Sequence, residues 1–291
     1  MPDTLYYDGQ CPLCTREMAK LGELCDSQLQ LADIHCLAPE ASLEQTDGSA
    51  PTDALPSRDA LLKTLHLRTA EGQWLTGIDA NMHFTAHDIG AMASRYRAAF
   101  VNSLSGFKPA NLVGTADAAG NSNLAIISSV VHLGSHPPLL ALIVRPSPVE
   151  RHTLENILDT RCYTINHVHQ SFIEAAHQTA ARYPREQSEF TATGLGEHWV
   201  TGFAAPFVRE ATVRMGLELR EHHHLHINDT HLVIGEVVLV DVPDKALGED
   251  GAIDINAADS VALSGLDSYY TTSRVRRMAY AKPDLPPRTI D

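Results

Sequence analysis

The chain has no long hydrophobic run: nothing in its 291 residues approaches the ~18 apolar residues in a row that a membrane-spanning helix needs. It also lacks an excess of positive charge. Lys and Arg number 22 against 36 Asp and Glu, a formal net charge of -14. That balance argues against nucleic acid or an anionic membrane as a main partner, because both reward clustered cations. Cysteine is scarce and odd in number, five in all (Cys11, Cys14, Cys25, Cys36, Cys162). A secreted disulfide scaffold would be shorter and evenly paired, so a disulfide here is expected to be catalytic rather than structural. No basic segment followed by an apolar stretch and a small-residue cleavage site is present at the start, and the expected location is the cytoplasm. There is no Gly-x-Gly-x-x-Gly after a strand, hence no sign of a Rossmann dinucleotide site, and no internal repeat or low-complexity tract.

What is present is the composition of an ordinary globular protein, 44% apolar and 20% charged, with length enough for two domains. The acidity is uneven: residues 1–84 carry 13 acidic against 5 basic side chains, leaving 23 against 17 for the rest. The texture changes at the same place. TLYYD reads as a strand, TREMAKLGELC as a helix with Met18, Leu21 and Cys25 at helical spacing, LQLADI as a second strand, and LLKTLHLRTAEGQWLTG as a hairpin turning at Glu71 and Gly72. The polar stretch between Ala38 and Pro56 reads as loop or weak helix. A helical pattern from Ala86 to Phe100 then leads into strands: ANLVGTAD, NLAIISSVVHLG, LLALIVRP, CYTINHV, and two long alternating runs, LELREHHHLHI and HLVIGEVVLVDVP, joined at Asn228 and Asp229. HTLENILDT and SFIEAAHQTAARY read as helices. The expected organisation is therefore a first domain over 1–85 and a second over 86–291, the latter a β-barrel or sandwich with peripheral helices.

The cysteine pair in DGQCPLC raises three readings. A structural zinc site would want a second Cys/His pair at suitable spacing, which Cys25, His35 and Cys36 do not supply. Inert packing is the second. The third is a dithiol redox couple, for which the setting has a physical reason: backbone amides and the dipole at a helix N-terminus stabilise a thiolate, drawing a cysteine pKa from ~8.5 toward 7 or below. Cys11 would attack and Cys14 resolve, with Pro12 suiting the first helical turn.

YYDGQCPLC, with Gly77 and Ala80 further on, resembles the DCC family of thiol-disulfide oxidoreductases, a thioredoxin-like group, over about residues 3–84. Asp8, Cys11 and Cys14 match its signature. The resemblance implies a small thioredoxin-like α/β domain, shortened at its C-terminal end, with Cys11 and Cys14 as catalytic redox pair.

In the second half, Ser128 and Ser129 follow a strand and Pro137-Pro138 precede the next. Hydroxyls and free amides in such a turn suit a flavin's ring edge or phosphate, though a plain loop would look the same. The ordered series SS, PPL, RHTLENI and NDTHLVIGEV, over about 100–283, resembles the flavin reductase family. That resemblance implies an α+β, mainly β fold: an FMN-binding split β-barrel with peripheral helices, usually a homodimer. It maps the flavin loop onto Asn123 to Ser129, the phosphate-contacting threonine onto Thr153 with Arg151 and His152 beside it, and makes Asn111 and His132 further cofactor contacts, with Lys108 and Tyr269 as additional candidates. Gly134 and His136 stand where many members have Ser and Asp. The implied activity is transfer of electrons from NADH or NADPH, through FMN, to flavin or another acceptor. The fusion raises two alternatives: an NAD(P)H-driven disulfide reductase that passes electrons to Cys11 and Cys14, or a non-enzymatic flavin-binding redox sensor.

Two clusters stay open. His222, His224 and His226 share one face of a strand, with His223 and His231 near, and could bind a metal, face solvent or a subunit, or lie near the flavin; no metal is expected. Arg274, Arg276, Arg277 and Lys282 form a basic patch suited to subunit contacts, surface charge or nucleotide phosphates.

Overall fold

A computed structural model describes residues 2–10, 14–15, 18–19, 21, 29–37, 61, 66–69, 72–76, 84–145 and 152–290. The expected site residues Cys11 and Arg151, the motif residues Gly77 and Ala80, and most of the polar stretch after Leu37 lie outside them. The chain divides into two compact units, Met1–Ala91 and Met92–Asp291.

In the first unit, strands β1 (Asp3–Tyr7), β2 (Leu29–Asp33), β3 (His66–Arg68) and β4 (Trp74–Thr76) form one sheet in the order β2-β1-β3-β4. β1 and β2 run parallel, while β3 is antiparallel to both of its neighbours, β1 and β4. Parallel strands need a crossover between them, and the helical residues Cys14, Thr15, Met18, Ala19 and Leu21 lie on it. This is the mixed sheet of the expected thioredoxin-like domain. Helix α1 (Ala86–Ala91) closes the unit, opened by a reciprocal cap in which the Thr85 amide donates to Asp88 at 2.7 Å and the Asp88 amide to the Thr85 hydroxyl at 3.2 Å.

The second unit begins with α2 (Ser94–Ser103) and β5 (Lys108–Pro109), followed by β6 (Asn111–Ala116), β7 (Ser122–Ile127), β8 (Val130–Ser135) and β9 (Pro138–Val144). After α3 (His152–Thr160) come β10 (Cys162–His167), α4 (Ile173–Gln178) and α5 (Glu189–Thr193). The short pair β11 (Glu197–His198) and β12 (Phe207–Val208) precedes the long hairpin β13 (Arg214–Leu225) and β14 (Thr230–Asp241), and β15 (Ala262–Ser264) and β16 (Ser268–Tyr270) complete the set. Seven strands make the main sheet in the order β7-β6-β10-β13-β14-β9-β8, all neighbours antiparallel. A smaller sheet holds β16-β15-β5.

The two edge strands of the seven, β7 and β8, are consecutive in the chain and joined only by Ser128 and Ser129. Three peptide steps reach no more than about 11 Å, so the sheet must curl until its two edges nearly meet. That is a barrel split along one seam. Its core follows: Leu142, Tyr163, Ile165, Leu217 and Val233 form one wholly buried cluster, and Leu112, Leu124, Val168 and Phe190 belong to another. All six residues of β6 are buried, so both faces of this strand are covered. Gly114 on it has no room for a side chain, since a Cβ would lie 2.3 Å from the Pro206 carbonyl oxygen.

Two expected helices are shorter. The pattern from Ala86 to Phe100 breaks at Met92-Ala93, where Ala93 is extended (ψ 139°). SFIEAAHQTAARY gives a single 3-10 turn (Gln170–Phe172) and then α4, which stops after Gln178, where the Thr179 hydroxyl donates to the Ala176 carbonyl at 2.8 Å.

Candidate functional site

The seam opens into a cleft of about 1030 Å³. Its floor is the end of β7, the two serines and the end of β9: Ile126, Ile127, Ser128, Ser129, Ile143 and Val144. Ser129 is fixed there, its hydroxyl donating to the Ile143 carbonyl at 2.8 Å while its own carbonyl accepts from the Ile143 amide at 3.0 Å. One wall comes from α3 and β7. Thr153, in the first turn of α3, is buried, and its hydroxyl accepts from Asn123 Nδ2 at 2.9 Å; Asn123 also reaches Thr115, 3.3 Å away. His152 lines the same wall. Glu189 is buried there, accepting from the Leu124 amide at 2.9 Å, and burial pushes its pKa up against the opposing pull of that amide and of His152.

The opposite wall is built by α2 and the small sheet, with Val101, Lys108, Leu263, Leu266 and Tyr269. Lys108 Nζ donates to two backbone carbonyls, Asn102 at 2.9 Å and Gly265 at 3.0 Å. Burial, and then the nearby Arg145, lower its pKa. Tyr269 meets His177 of α4, its hydroxyl 3.1 Å from Nδ1, and burial pushes it up to about 12, with Asp267 adding to the effect. Among the described residues, Lys108, Arg145 and Arg182 line the cleft against the single carboxylate of Glu189, so the cleft is cationic inside an acidic protein. Such a field concentrates anionic ligands.

Five of the expected cofactor residues, Asn123, Ser128, Ser129, His152 and Thr153, thus come together on one cleft. Asn111 lies beneath it, buried on β6 and paired with Ile127 across the ladder, its Oδ1 without a hydrogen-bond partner among the described residues. His132 is exposed on β8 and is not among the lining residues. Arg145, His177, Arg182 and Glu189 join the site without any sequence signal that singled them out; each is brought in by tertiary structure alone.

Near the cysteine loop, the C-terminal ends of β1 and β2 are laced together. Asp33 Oδ1 accepts from the amides of Gly9 (3.0 Å) and His35 (2.9 Å), and the Cys36 thiol donates to Oδ2 (3.5 Å). His35 Nε2 lies 2.7 Å from Asp8, and Thr15 donates to the Gly9 carbonyl at 3.1 Å, tying the helical segment to the same knot.

The histidine run forms a ladder: His222 Nε2 is 2.9 Å from His231 Nδ1, His224 stacks on His231 with ring centroids 4.8 Å apart, and His224 meets His226 at 4.4 Å. Among the described residues no set of three or more His, Cys, Asp or Glu is arranged to hold a metal ion. In the basic patch, Arg274 pairs with Asp254 at 3.2 Å and Arg277 with Asp250, so half of it is neutralised from within.

A seven-stranded antiparallel barrel, split at a two-residue seam that floors a cationic cleft, defines the split-barrel class. The chain belongs to the flavin reductase like domain family, whose model matches residues 105–272. A DCC1-like thiol-disulfide oxidoreductase model matches residues 5–110, reaching past residue 84. A solved structure from Shewanella frigidimarina NCIMB 400, assigned as a flavin reductase with split barrel domain, is 55% identical, covers 69% of this chain and 100% of its own, and superposes with a TM-score of 0.67. Nitrilotriacetate monooxygenase component B from Bacillus cereus shares the fold at 22% identity, covering 67% of this chain and 97% of its own with a TM-score of 0.60. An uncharacterised protein of Aquifex aeolicus (strain VF5) is 29% identical over 145 residues, 49% of this chain and 73% of that protein.

Proposed function

We propose that the unit Met92–Asp291 binds FMN in the seam cleft and acts as an oxidoreductase that draws electrons from NADH or NADPH and delivers them to free flavin or another small acceptor. The observation that carries this reading is the convergence of Asn123, Ser128, Ser129, His152 and Thr153 on one cleft of about 1030 Å³, in a chain of the flavin reductase like family. The residues suit the ligand chemically. Ile126, Ile127, Ile143 and Val144 offer an apolar bed for a flat ring, the serine pair offers hydroxyls and amides to its polar edge, and three cations favour an anion.

In this reading Thr153 and His152, at the start of a nine-residue helix, hold the phosphate together with Arg151, using the hydroxyl, the imidazole and the free amides of the first turn. Asn123 keeps the Thr153 hydroxyl in place. Bound flavin supplies the two-electron chemistry, and the protein orients it and keeps water away. No side chain has to act as acid or base.

The decisive experiment is the absorbance spectrum of the purified protein, before and after anaerobic addition of NADPH or NADH. A bound flavin spectrum that bleaches on addition supports the reading; no flavin uptake and no nicotinamide oxidation refute it. Tight flavin with only slow oxidation favours a redox sensor instead. A homodimer fits the same reading, since α2 has no buried residue and β8 exposes Val131 and Leu133; molecular mass by light scattering tests it.

The thiol-disulfide oxidoreductase match in the same chain favours a second reading, electron transfer from the flavin to the Cys11/Cys14 disulfide. NADPH-driven reduction of a small disulfide that is lost in Cys11→Ser supports it. Full activity in that variant refutes it.

A further inference from the structure

Lys108 is held more tightly than a surface lysine and in a place where its charge has no acidic partner among the described residues. An ammonium has three N–H donors, and two are spent on the carbonyls of Asn102 and Gly265, which pin Nζ between the end of α2 and the β15–β16 turn. Its charged neighbour is another cation, Arg145, itself on the cleft. Carrying a fixed cation beside another is costly unless an anion completes the arrangement.

The register of the sheet says where along the cleft that charge lies. β6 and β7 run antiparallel, Thr115 opposite Asn123 and Asn111 opposite Ile127. Asn123 and Thr153 therefore mark one end of β7. Lys108, three residues before Asn111 and lining the same cleft as Ser128, belongs to the other end. The two ends are separated by four strand steps, about 13 Å. With the phosphate held at the Thr153 end, the ring of the same ligand extends toward the serine pair and Lys108.

We propose that Lys108 is the residue that sets the redox poise of the bound flavin, its third N–H directed at the ring and its fixed charge favouring the reduced, anionic form over the oxidised, neutral one. The inference rests on the flavin reading above and adds to it which side chain tunes the ligand. Charge placed close to a flavin ring is an established lever on its electronics. The lowered pKa of Lys108 accords with an ammonium held partly out of water beside another cation.

The test is thermodynamic. Protein freed of flavin is titrated anaerobically with oxidised FMN and, separately, with chemically reduced FMN, and the ratio of the two dissociation constants is compared among wild type, Lys108→Gln, Lys108→Met and Lys108→Arg. Glutamine removes the charge and keeps two N–H donors on a side chain one bond shorter; methionine removes charge and donors both. The expected result is a preference for reduced FMN in the wild type that falls at least ten-fold in Lys108→Gln and Lys108→Met, equivalent to about 30 mV in the two-electron potential, and is largely kept in Lys108→Arg. A ratio unchanged in Lys108→Gln overturns the proposal, even if both neutral variants lose thermal stability, for then Lys108 is only a strap between α2 and the small sheet. Failure of the wild type to bind either form overturns the flavin reading itself, and this proposal with it.

Discussion

Tyr163 and Gly235 offer a double-mutant cycle whose outcome can be worked from the structure. Tyr163, on β10, is wholly buried, and its hydroxyl has no hydrogen-bond partner among the described residues; burial drives its pKa well above the ordinary tyrosine range. The oxygen rests where Gly235 of β14 lacks a side chain: a Cβ there would fall 2.2 Å from the hydroxyl oxygen and 2.8 Å from Cζ. Those distances are short of van der Waals contact by about 1 Å, so Gly235→Ala forces the strand or the ring aside at a cost of ~1–3 kcal/mol. Tyr163→Phe deletes an unpaired buried hydroxyl, which costs about 1–3 kcal/mol to keep. It should therefore be neutral or stabilising, worth ~2–4 °C in Tm per kcal/mol for a unit of this size. It also removes the shortest of the clashes, so Gly235→Ala should cost at least ~1 kcal/mol less when combined with Tyr163→Phe than it does alone. Equilibrium urea unfolding of the four proteins measures this. Additivity within about 0.5 kcal/mol, or a Tyr163→Phe variant destabilised by more than ~1 kcal/mol, would refute the reasoning and mean that the hydroxyl is satisfied.

Asn123→Ala frees the Thr153 hydroxyl from a 2.9 Å hydrogen bond, and loss of a bond worth ~0.5–1.5 kcal/mol should weaken FMN binding about 3–10-fold by fluorescence titration; an unchanged Kd would place Thr153 away from the ligand. His167 is partly buried, with its Nδ1 2.9 Å from Ser260, and desolvation lowers its pKa to about 4 from an ordinary 6.5. The unfolded chain then takes up its proton first as pH falls, so stability should decline from about pH 6.5 toward 4, and His167→Gln should flatten that slope in urea midpoints read at several pH values. Asp33 raises the Cys36 thiol pKa, first by accepting its hydrogen bond and then by its charge. Asp33→Asn should therefore speed alkylation of Cys36 by iodoacetamide near pH 8, followed by peptide mass spectrometry; an unchanged rate would remove Asp33 as the cause.

Much of the barrel is legible because its long elements obey one period. β13 and β14 run for twelve residues each, their alternation broken at two register shifts, and meet at a turn where Asp229 takes φ 58°, the left-handed conformation that Asn and Asp tolerate. α3 keeps its pattern from end to end. NLAIISSVVHLG is different. Its apolar residues run on past the serines, so nothing local tells that the segment is two strands, still less that they lie at opposite ends of a seven-stranded sheet. The short α5 and the β11–β12 pair are set by tertiary contacts, such as the Leu124 amide on Glu189, and leave no periodic trace. The site divides likewise. His152 and Thr153 are neighbours in sequence and could be paired by motif, whereas His177 and Glu189 reach the cleft from two elements that only the fold assembles.

The seam has a consequence for how the molecule can move. Because Ser128 and Ser129 are at once the link between the sheet's two edges and the floor of the cleft, the barrel cannot breathe at that edge without reshaping the ligand's bed. The hydrogen bond from the Ile143 amide to Ser129 is the rivet of that joint. On the proposed reading, a ligand lying across it would act as a clasp on the whole barrel, and cofactor affinity and barrel stability would be one mechanical property measured at two places.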